Sequence, residues 1–474
     1  MTKYHVFFVS TPAIGNLVPI VEFAHRLVHR DRRISATVLI ITFSERPILN
    51  EYVRSRAAST KEIKFVHLPT EDPLSPDQYQ SSLAYLSLFY EKHKSHVKHA
   101  ITEQSELDAA TDTVRIAGLF VDMFSTSMID VANELGIPSY IFFASPASFL
   151  GLMLHLPILD TQLATELVDS ETELIIPSFV NPLPHSVLPS IVLERKDAYS
   201  WCLRHGRRYR EAKGIIVNTH RELESHAINS ISKSELPPIY PVGPVLDFDG
   251  SERWHPDRTR HEWITEWLDN QPETSVVFLC FGSMGCLSEA QVKEIGLGLE
   301  GSGLRFLWSV REPPKGKLDL PGEYTNMKDV LPEGFLDRTE GIGLVTGWVP
   351  QARILAHRSI GGFVSHCGWN SILEGLWYGV PIATWPLYAE QQMNAFQLVR
   401  ELGLAVEIRV DYRKGSDLVL AEELERGIKL LMDGDGEIGR KVKEMMEKSR
   451  MAVMENGSSY VSLGSLIDKL TANN

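Results

Sequence analysis

The chain has little cysteine, a deficit of positive charge and no long apolar run, and each shortage excludes something. Its four cysteines, Cys202, Cys280, Cys286 and Cys367, include no Cys-x-x-Cys pair. So few thiols read as reduced side chains of a cytoplasmic protein rather than a disulfide framework. Lys and Arg number 47 against 61 Asp and Glu, a formal charge of −14. That balance argues against nucleic acid or an anionic membrane as partner, and any anionic ligand must be held by local groups against the overall field. No stretch of about 18 uninterrupted apolar residues occurs, so no membrane span is expected. The opening run, MTKYHVFFVSTPAIGN, has little positive charge ahead of its apolar residues and reads as a first strand, not a signal peptide. No Gly-x-Gly-x-x-Gly follows it, which counts against a nicotinamide or flavin enzyme.

What is present is an alternation of β-rich runs and helical spacing. In the first half, strands are expected at Tyr4–Ser10, Ala36–Phe43, Ile63–Leu68, Arg115–Asp122, Pro138–Ala144 and Gly214–Thr219, with a turn at Thr11–Asn16 and helices at Leu17–His29 and Leu83–Ala100. Pro177–Ser200 is Pro-rich and irregular, as expected of loops that shape a pocket. Leu236–Pro244 breaks the alternation and Asp247–Asp257 lacks periodicity. A linker is therefore placed at 241–257, between a first domain at 1–240 and a second at 258–455. In the second half, Val276–Phe281, Arg305–Val310, Gly343–Gly347, Ile360–Val364 and Val380–Thr384 read as strands. Helices are expected at Ser288–Gly301, Gln392–Leu402, Ala421–Met432 and Glu437–Glu455. A last helix, Ser458–Leu470, carries Val461, Leu463, Ile467 and Leu470 at helical spacing and is expected to return to the first domain as part of 456–474. The fold class is α/β, two doubly wound parallel sheets.

The most informative stretch is Trp348–Gln391. A strand ends at Ser365-His366-Cys367-Gly368, and Trp369-Asn370-Ser371 opens a helix that Gly379 stops. A strand feeding a helix N-terminus through glycine is an anion site. A second strand carries Glu390 and Gln391 beyond its far end, side chains suited to reading hydroxyls, and Trp348 offers a flat apolar plate. Anion, polyol and ring together describe a nucleotide sugar. Each feature also has an ordinary reading: Trp348 as core, His366 as a satisfied buried histidine, Ser371 and Glu374 as a capping box, Glu390 and Gln391 as a helix first turn.

From Trp348 through Gln351, His366–Ser371 and Glu374 to Glu390-Gln391, the stretch resembles the signature box of the plant secondary-product UDP-glycosyltransferases. The resemblance extends over essentially the whole chain. It implies the GT-B fold, two Rossmann-like domains facing across a cleft. It implies uracil stacking on Trp348, base-edge contacts from the Val349 backbone, and Gln351 and Glu374 at the ribose. It implies phosphate ligation by His366, Asn370, Ser371 and Ser283, with Gly15, Gly368 and Tyr388 in the same donor site. Glu390 and Gln391 would bind the sugar hydroxyls. Trp369 and Gln391 are the family's usual residues for glucose, so UDP-glucose is the expected co-substrate. No cofactor and no metal are expected, and a monomer is the expected state.

One position departs from the family. The residue after the turn glycine is usually a histidine that acts as general base, oriented by the carboxylate that Asp122 matches. Here Gly15 is followed by Asn16, whose amide has no basic site near neutral pH. The expected activity is inverting transfer of glucose to a small hydrophobic phenol or alcohol bound in the first domain. The alternatives left open are an acceptor that arrives ionised, an atypical nucleophile (thiol, nitrogen or carbon), Asp122 acting through water, or a binding protein that lost turnover. Asp247-Phe248-Asp249 has the Asp-x-Asp form of a metal–diphosphate site but falls in the linker. Asp433–Glu437 lacks EF-hand spacing, and Gly434–Gly439 precedes Arg440-Lys441 and not the Lys-Ser/Thr of a P-loop.

Overall fold

The computed structural model describes residues 2–41, 47–59, 62–109, 114–162, 173–194, 196–233, 236–248, 257–315, 320–415, 417–433 and 436–472. Residues 249–256 of the expected linker, which include Asp249 of the Asp-x-Asp triplet, and 434–435 of the Asp/Gly run lie outside these. The chain divides into two compact units. The first is Met1–Pro182 with Ile191–Asp247 and Met451–Asn474, and the second is Leu183–Ser190 with Phe248–Arg450.

The first unit holds seven strands, β1 (Lys3–Val9), β2 (Ile34–Ile40), β3 (Ile63–His67), β4 (Val114–Asp122), β5 (Ser139–Phe143), β6 (Ile215–Val217) and β7 (Ile239–Pro241). They lie in the order β3-β2-β1-β4-β5-β6-β7, and every pairing is parallel. Val6, Phe7, Phe8 and Val9 are all fully buried, because helices cover both faces of a parallel sheet and its inner strands lose the alternation of a half-exposed strand. Phe8 stacks on Phe120 of β4 with ring centroids 4.8 Å apart, and Phe23 of the first helix stacks on Phe142 of β5 at 5.2 Å.

The second unit holds β8 (Val276–Cys280), β9 (Arg305–Ser309), β10 (Gly343–Thr346), β11 (Ile360–Ser365), β12 (Ile382–Thr384) and β13 (Ala405–Glu407), ordered β10-β9-β8-β11-β12-β13 and again all parallel. One cluster of its core sets Val277, Leu279, Phe306, Trp308, Val364 and Ala383 from the strands, with Trp385 just past β12, against Ile295, Leu299 and Ile428 from flanking helices. Both sheets reverse direction once, between β1 and β4 and between β8 and β11. Ligands of open α/β sheets bind beyond the strand ends at such a switch point.

Several elements differ from expectation. Ile239–Pro241 is an edge strand paired with β6, where the prolines pointed to an interruption; an edge tolerates Pro because one side of the strand needs no donor. The first helix begins at Ile14, so Gly15 and Asn16 lie in its first turn and not in the preceding one. The helix Ala147–Gln162 was not expected, because ASFLGLMLHLPILDTQ is apolar on every side and shows no helical periodicity. Strand β13 and the helices Met128–Leu135, Asp197–Arg208 and Arg221–Ser232 were missed as well. The expected helix Gln392–Leu402 is an α-helical turn, Gln391–Phe396, continued by π-helix at Gln397–Leu402. The last helix, Ser458–Thr471, belongs to the first unit. Tyr4 Oη donates to the Thr471 carbonyl at 2.9 Å and Ser459 Oγ donates to the Gly243 carbonyl. Leu463, Leu466, Ile467 and Leu470 are buried there, whereas Val461 is 54% exposed and is not part of that face. Among the described residues no helix is long and apolar enough to cross a membrane.

Candidate functional site

In the first unit the switch point brings the turn after β1 to the end of β4. Thr11 follows β1, and Ala13 is the N-cap of the helix Ile14–Arg30, without a side-chain cap bond and with no acidic residue in the first turn. Asp122 is the last residue of β4 and is fully buried. Its Oδ2 accepts from Asn16 Nδ2 at 3.2 Å, and its Oδ1 accepts from Thr11 Oγ1 at 2.8 Å and from the Phe124 N–H at 3.0 Å. Burial pushes the Asp122 carboxyl above its ordinary range, while the Phe124 N–H, Thr11 and Asn16 pull it back. Three donors thus converge on the carboxyl group. Thr11 is the member of this cluster that sequence reading missed; its position at the carboxyl end of β1 was the available signal.

In the second unit the switch point joins the turn after β8 to the turn after β11. Ser283 is half-buried in the first of these. His366 is buried in the second, and its ring fills space left by two glycines: a Cβ on Gly282 or on Gly368 would come within 2.5 Å of His366 Nε2. Gly282 is also at φ +76, which favours glycine. Burial holds the His366 imidazole down at about 4, so the ring is neutral at physiological pH. Its Nδ1 is buried without a hydrogen-bond partner. Between His366 and Gly368, Cys367 adopts φ +60, a left-handed conformation uncommon for a residue with a side chain. Asn394 Nδ2 braces this turn by donating to the Cys367 carbonyl at 3.0 Å.

Gly368 is the N-cap of the ten-residue helix Trp369–Tyr378, and no side chain caps it. The ordinary reading of Ser371 and Glu374 as a capping box therefore does not apply. Ser371 is the third helical residue, not the N-cap, and its hydroxyl accepts from Gln351 Nε2 at 2.8 Å. Gln351 Nε2 also donates to Glu374 Oε2 at 2.7 Å. Gln351, Ser371 and Glu374 thus form one polar group beside the helix N-terminus. Trp348 lies just beyond β10, half-buried, with its N–H donating to Glu323 Oε1 at 3.0 Å and its ring 6.1 Å from that of His261. Val349 is buried. Glu323, which also pairs with Arg260 at 2.6 Å, comes from a loop that offered no sequence signal.

Beyond β12, Gln391 is buried and its Oε1 accepts the N–H groups of Leu387 and Tyr388 at 2.9 and 3.0 Å. The side chain therefore fixes the loop with its carbonyl and keeps its Nε2 for other partners. Ala389 in the same loop stands at φ 57. Two non-glycine residues in left-handed conformation, Cys367 and Ala389, follow adjacent strands, and such conformations concentrate at binding sites. Asp247 of the Asp-x-Asp triplet is paired with Arg56, and among the described residues no group of three or more His, Cys, Asp and Glu is placed to hold a metal ion.

Three comparisons bear on this arrangement. The family model for UDP-glucoronosyl and UDP-glucosyl transferases matches residues 215–426. UDP-glycosyltransferase 43 of Pueraria montana var. lobata is 56% identical, with all of both chains covered, and UDP-glucose flavonoid 3-O-glucosyltransferase 6 of Fragaria ananassa is 50% identical over 98% of each. The crystal structure of Medicago truncatula UGT71G1 complexed with UDP-glucose superposes with a TM-score of 0.90 at 44% identity, covering 99% of both chains. Sheets of seven and six parallel strands are the GT-B architecture of these plant enzymes, and at this identity over this length the chain belongs to the plant UDP-glycosyltransferase family and is a hexosyltransferase.

Proposed function

We propose that the enzyme transfers glucose from UDP-glucose, with inversion, to a hydroxyl group of a small hydrophobic plant metabolite of phenolic type, in the cytoplasm and as a monomer. The observation that carries this reading is the second unit's switch point. A helix N-terminus without a side-chain cap and a buried histidine with an unpartnered Nδ1 follow β11, and Gln351, from the helix after β10, bonds there to Ser371 and Glu374. The backbone N–H groups of a first helical turn and the positive end of its dipole attract a diphosphate. In this reading His366, Asn370, Ser371 and Ser283 hold the phosphates, with Gly368 leaving room for the His366 ring. Trp348 and the Val349 backbone take the uracil, and Gln351 and Glu374 take the ribose. Trp369, Tyr388, Glu390 and Gln391 surround the sugar. His366 serves as a neutral donor, and the helix end stabilises charge on the departing UDP. The first unit, 1–240 with the returning segment 456–474, supplies the acceptor site with Asn16 and Asp122, and 258–455 supplies the donor site. Two neighbours support the substrates by name: the Fragaria flavonoid glucosyltransferase, and a Phytolacca americana structure complexed with UDP-2fluoro-glucose and pterostilbene, at 35% identity and a TM-score of 0.85.

Asn16 favours a second reading, a UDP-sugar-binding protein with weak turnover, because a general base is worth about 10²–10⁴ in rate. Release of UDP from UDP-glucose over a panel of phenolic acceptors, with product mass spectrometry, separates the two. Glucosides of the expected mass establish the transferase; UDP-glucose binding without product over the whole panel establishes the binding protein.

A further inference from the structure

The Gly347–Trp348 peptide stands just past β10, and a side chain takes each of its two polar groups. Ser309 Oγ, from the last residue of β9, donates to the Gly347 carbonyl at 2.7 Å. Glu323 Oε1 accepts the Trp348 N–H at 3.0 Å. A peptide unit is planar, so fixing its carbonyl and its N–H fixes the plane from which the Trp348 side chain departs. Gly347 is buried, and a Cβ added to it would stand 2.5 Å from Glu323 Cδ. The carboxylate therefore lies against the backbone where a glycine leaves room for it.

Glu323 is itself held from two sides, by residues that all belong to the second unit. Arg260 Nη1 donates to Glu323 Oε1 at 2.6 Å, and Arg260 Nε pairs with Asp257 Oδ2 at 3.0 Å. Asp257 is the N-cap of the helix Arg258–Asp269 and accepts the Arg260 N–H, so the guanidinium is anchored in that helix's first turn. The neighbouring His261 is buried, with its ring centroid 6.1 Å from that of Trp348. On the other side, Gly322 exchanges two backbone hydrogen bonds with Glu312, at 3.0 and 2.9 Å, and Arg311 Nε donates to the Gly322 carbonyl at 3.0 Å. Burial raises the Glu323 carboxyl, but the Arg260 hydrogen bond, the Trp348 N–H and the charges of Arg260 and Arg311 outweigh it and hold the group below its ordinary range. One oxygen of an ionised carboxylate can accept from two donors, here one from the helix and one from the peptide.

We propose, resting on the reading of Trp348 as the uracil plate, that Glu323 is a positioning residue for nucleotide binding. With Arg260 and Ser309 it locks the Gly347–Trp348 peptide, so that the indole stands ready to stack before the nucleotide arrives. The Trp348 N–H is taken by Glu323, which leaves the base edge to the Val349 backbone. A group ordered in advance binds more tightly because less freedom is lost on binding. Removing Glu323 therefore weakens ground state and transition state alike, and spares the chemical step.

The test is a double-mutant cycle in the full chain, with UDP affinity read by calorimetry and UDP-glucose kinetics measured alongside. Glu323→Ala is expected to raise the Kd for UDP and the KM for UDP-glucose about tenfold, with kcat within about twofold of native. Glu323→Gln keeps an acceptor for the Trp348 N–H and should recover most of that loss. In the Trp348→Ala protein, which has no plate left to orient, Glu323→Ala should cost less than about twofold in UDP affinity. Gly347→Ala, whose methyl group displaces the carboxylate, should reproduce the loss and its dependence on Trp348, and it carries the test if Glu323→Ala does not fold. The same loss in native and Trp348→Ala backgrounds overturns the proposal, because Glu323 would then act elsewhere. So does a fall in kcat with KM unchanged. If Trp348→Ala weakens UDP binding and Glu323→Ala leaves it native, this inference fails and the base-plate reading stands. If Trp348→Ala itself leaves UDP affinity unchanged, the base-plate reading fails and this inference with it.

Discussion

Gln351 and Glu374 are joined by a hydrogen bond of 2.7 Å, and the same Nε2 reaches Ser371 Oγ at 2.8 Å. One side chain thus positions a hydroxyl in the first turn and a carboxylate in the second turn, on one face of the helix Trp369–Tyr378. If these groups bind ribose and phosphate together, their contributions are coupled. Gln351→Ala and Glu374→Ala should each raise the KM for UDP-glucose about tenfold, since hydrogen bonds to charged groups are worth about 1.5–3 kcal/mol. The double variant should cost less than the two losses added, by about 0.5–3 kcal/mol. Strict additivity in a double-mutant cycle on UDP affinity would show that the two residues act independently.

Gln391 is the residue whose role the structure refines most. Its carbonyl oxygen holds the Leu387 and Tyr388 N–H groups, so Gln391→Ala removes a loop brace as well as any sugar contact. Gln391→Glu keeps an acceptor for the loop and loses the Nε2 donor. Gln391→Glu is therefore expected to lower kcat with UDP-glucose about fivefold while UDP itself binds normally, a neutral hydrogen bond being worth about 1 kcal/mol. Gln391→Ala should lower both kcat and thermal stability. Normal turnover of Gln391→Glu would leave the residue a purely structural role.

Gly282 tests the fit around His366. A methyl group there would stand 2.5 Å from His366 Nε2, on a backbone at φ +76. Gly282→Ala must move the ring or the turn, and the strain is of order 1–3 kcal/mol. Expected are a loss of UDP affinity, read by calorimetry, and a Tm lowered by a few degrees. Gly15→Ala, at a position open to solvent with nothing within 4 Å, is the contrasting substitution for fold stability. Unchanged UDP affinity in Gly282→Ala would separate His366 from the donor site.

Much of the fold was legible because parallel strands buried on both faces leave continuous apolar runs, and β1, β4, β8 and β11 all show them. What escaped had physical causes. Strand β7 is short, preceded by Pro237 and Pro238, closed by Pro241, and held only at an edge. The helix Ala147–Gln162 is apolar all round, so burial erased its period. In the candidate site the sequence brought together Trp348, Gln351, His366, Ser371 and Glu374 because they lie in one stretch. It could not show that Gln351 bonds to both Ser371 and Glu374, nor that Glu323 holds the Trp348 N–H, because those contacts depend on loop paths. The Ser-x-x-Glu pattern is not a capping box here, because the helix starts at Trp369, directly after Gly368, which puts Ser371 in the first turn.

His366 supplies the last prediction, in pH. Burial lowers its pKa from 6.5 to about 4, so the folded protein binds the ring's proton less readily than the unfolded chain does. The stabilising effect of the neutral ring is fully present above pH 6.5 and is lost as pH falls toward 4. His205, buried between Ser87 Oγ at 3.0 Å and Thr126 Oγ1 at 2.8 Å, is lowered further, to about 3, first by burial and then by Arg204 and Arg208. Its contribution declines over the same acid range and beyond. Tm should therefore fall between pH 6.5 and 4 in the native protein, and His366→Asn should flatten part of that fall. Ligand binding works in the opposite direction. A diphosphate beside His366 favours the charged ring and raises its pKa, so UDP binding near pH 5 should take up a fraction of a proton. Calorimetry in two buffers of different ionisation enthalpy measures that uptake directly. The native protein should show it at pH 5 and show less at pH 8, and His366→Asn should abolish it. Equal apparent enthalpies in both buffers at pH 5 would place the diphosphate away from His366.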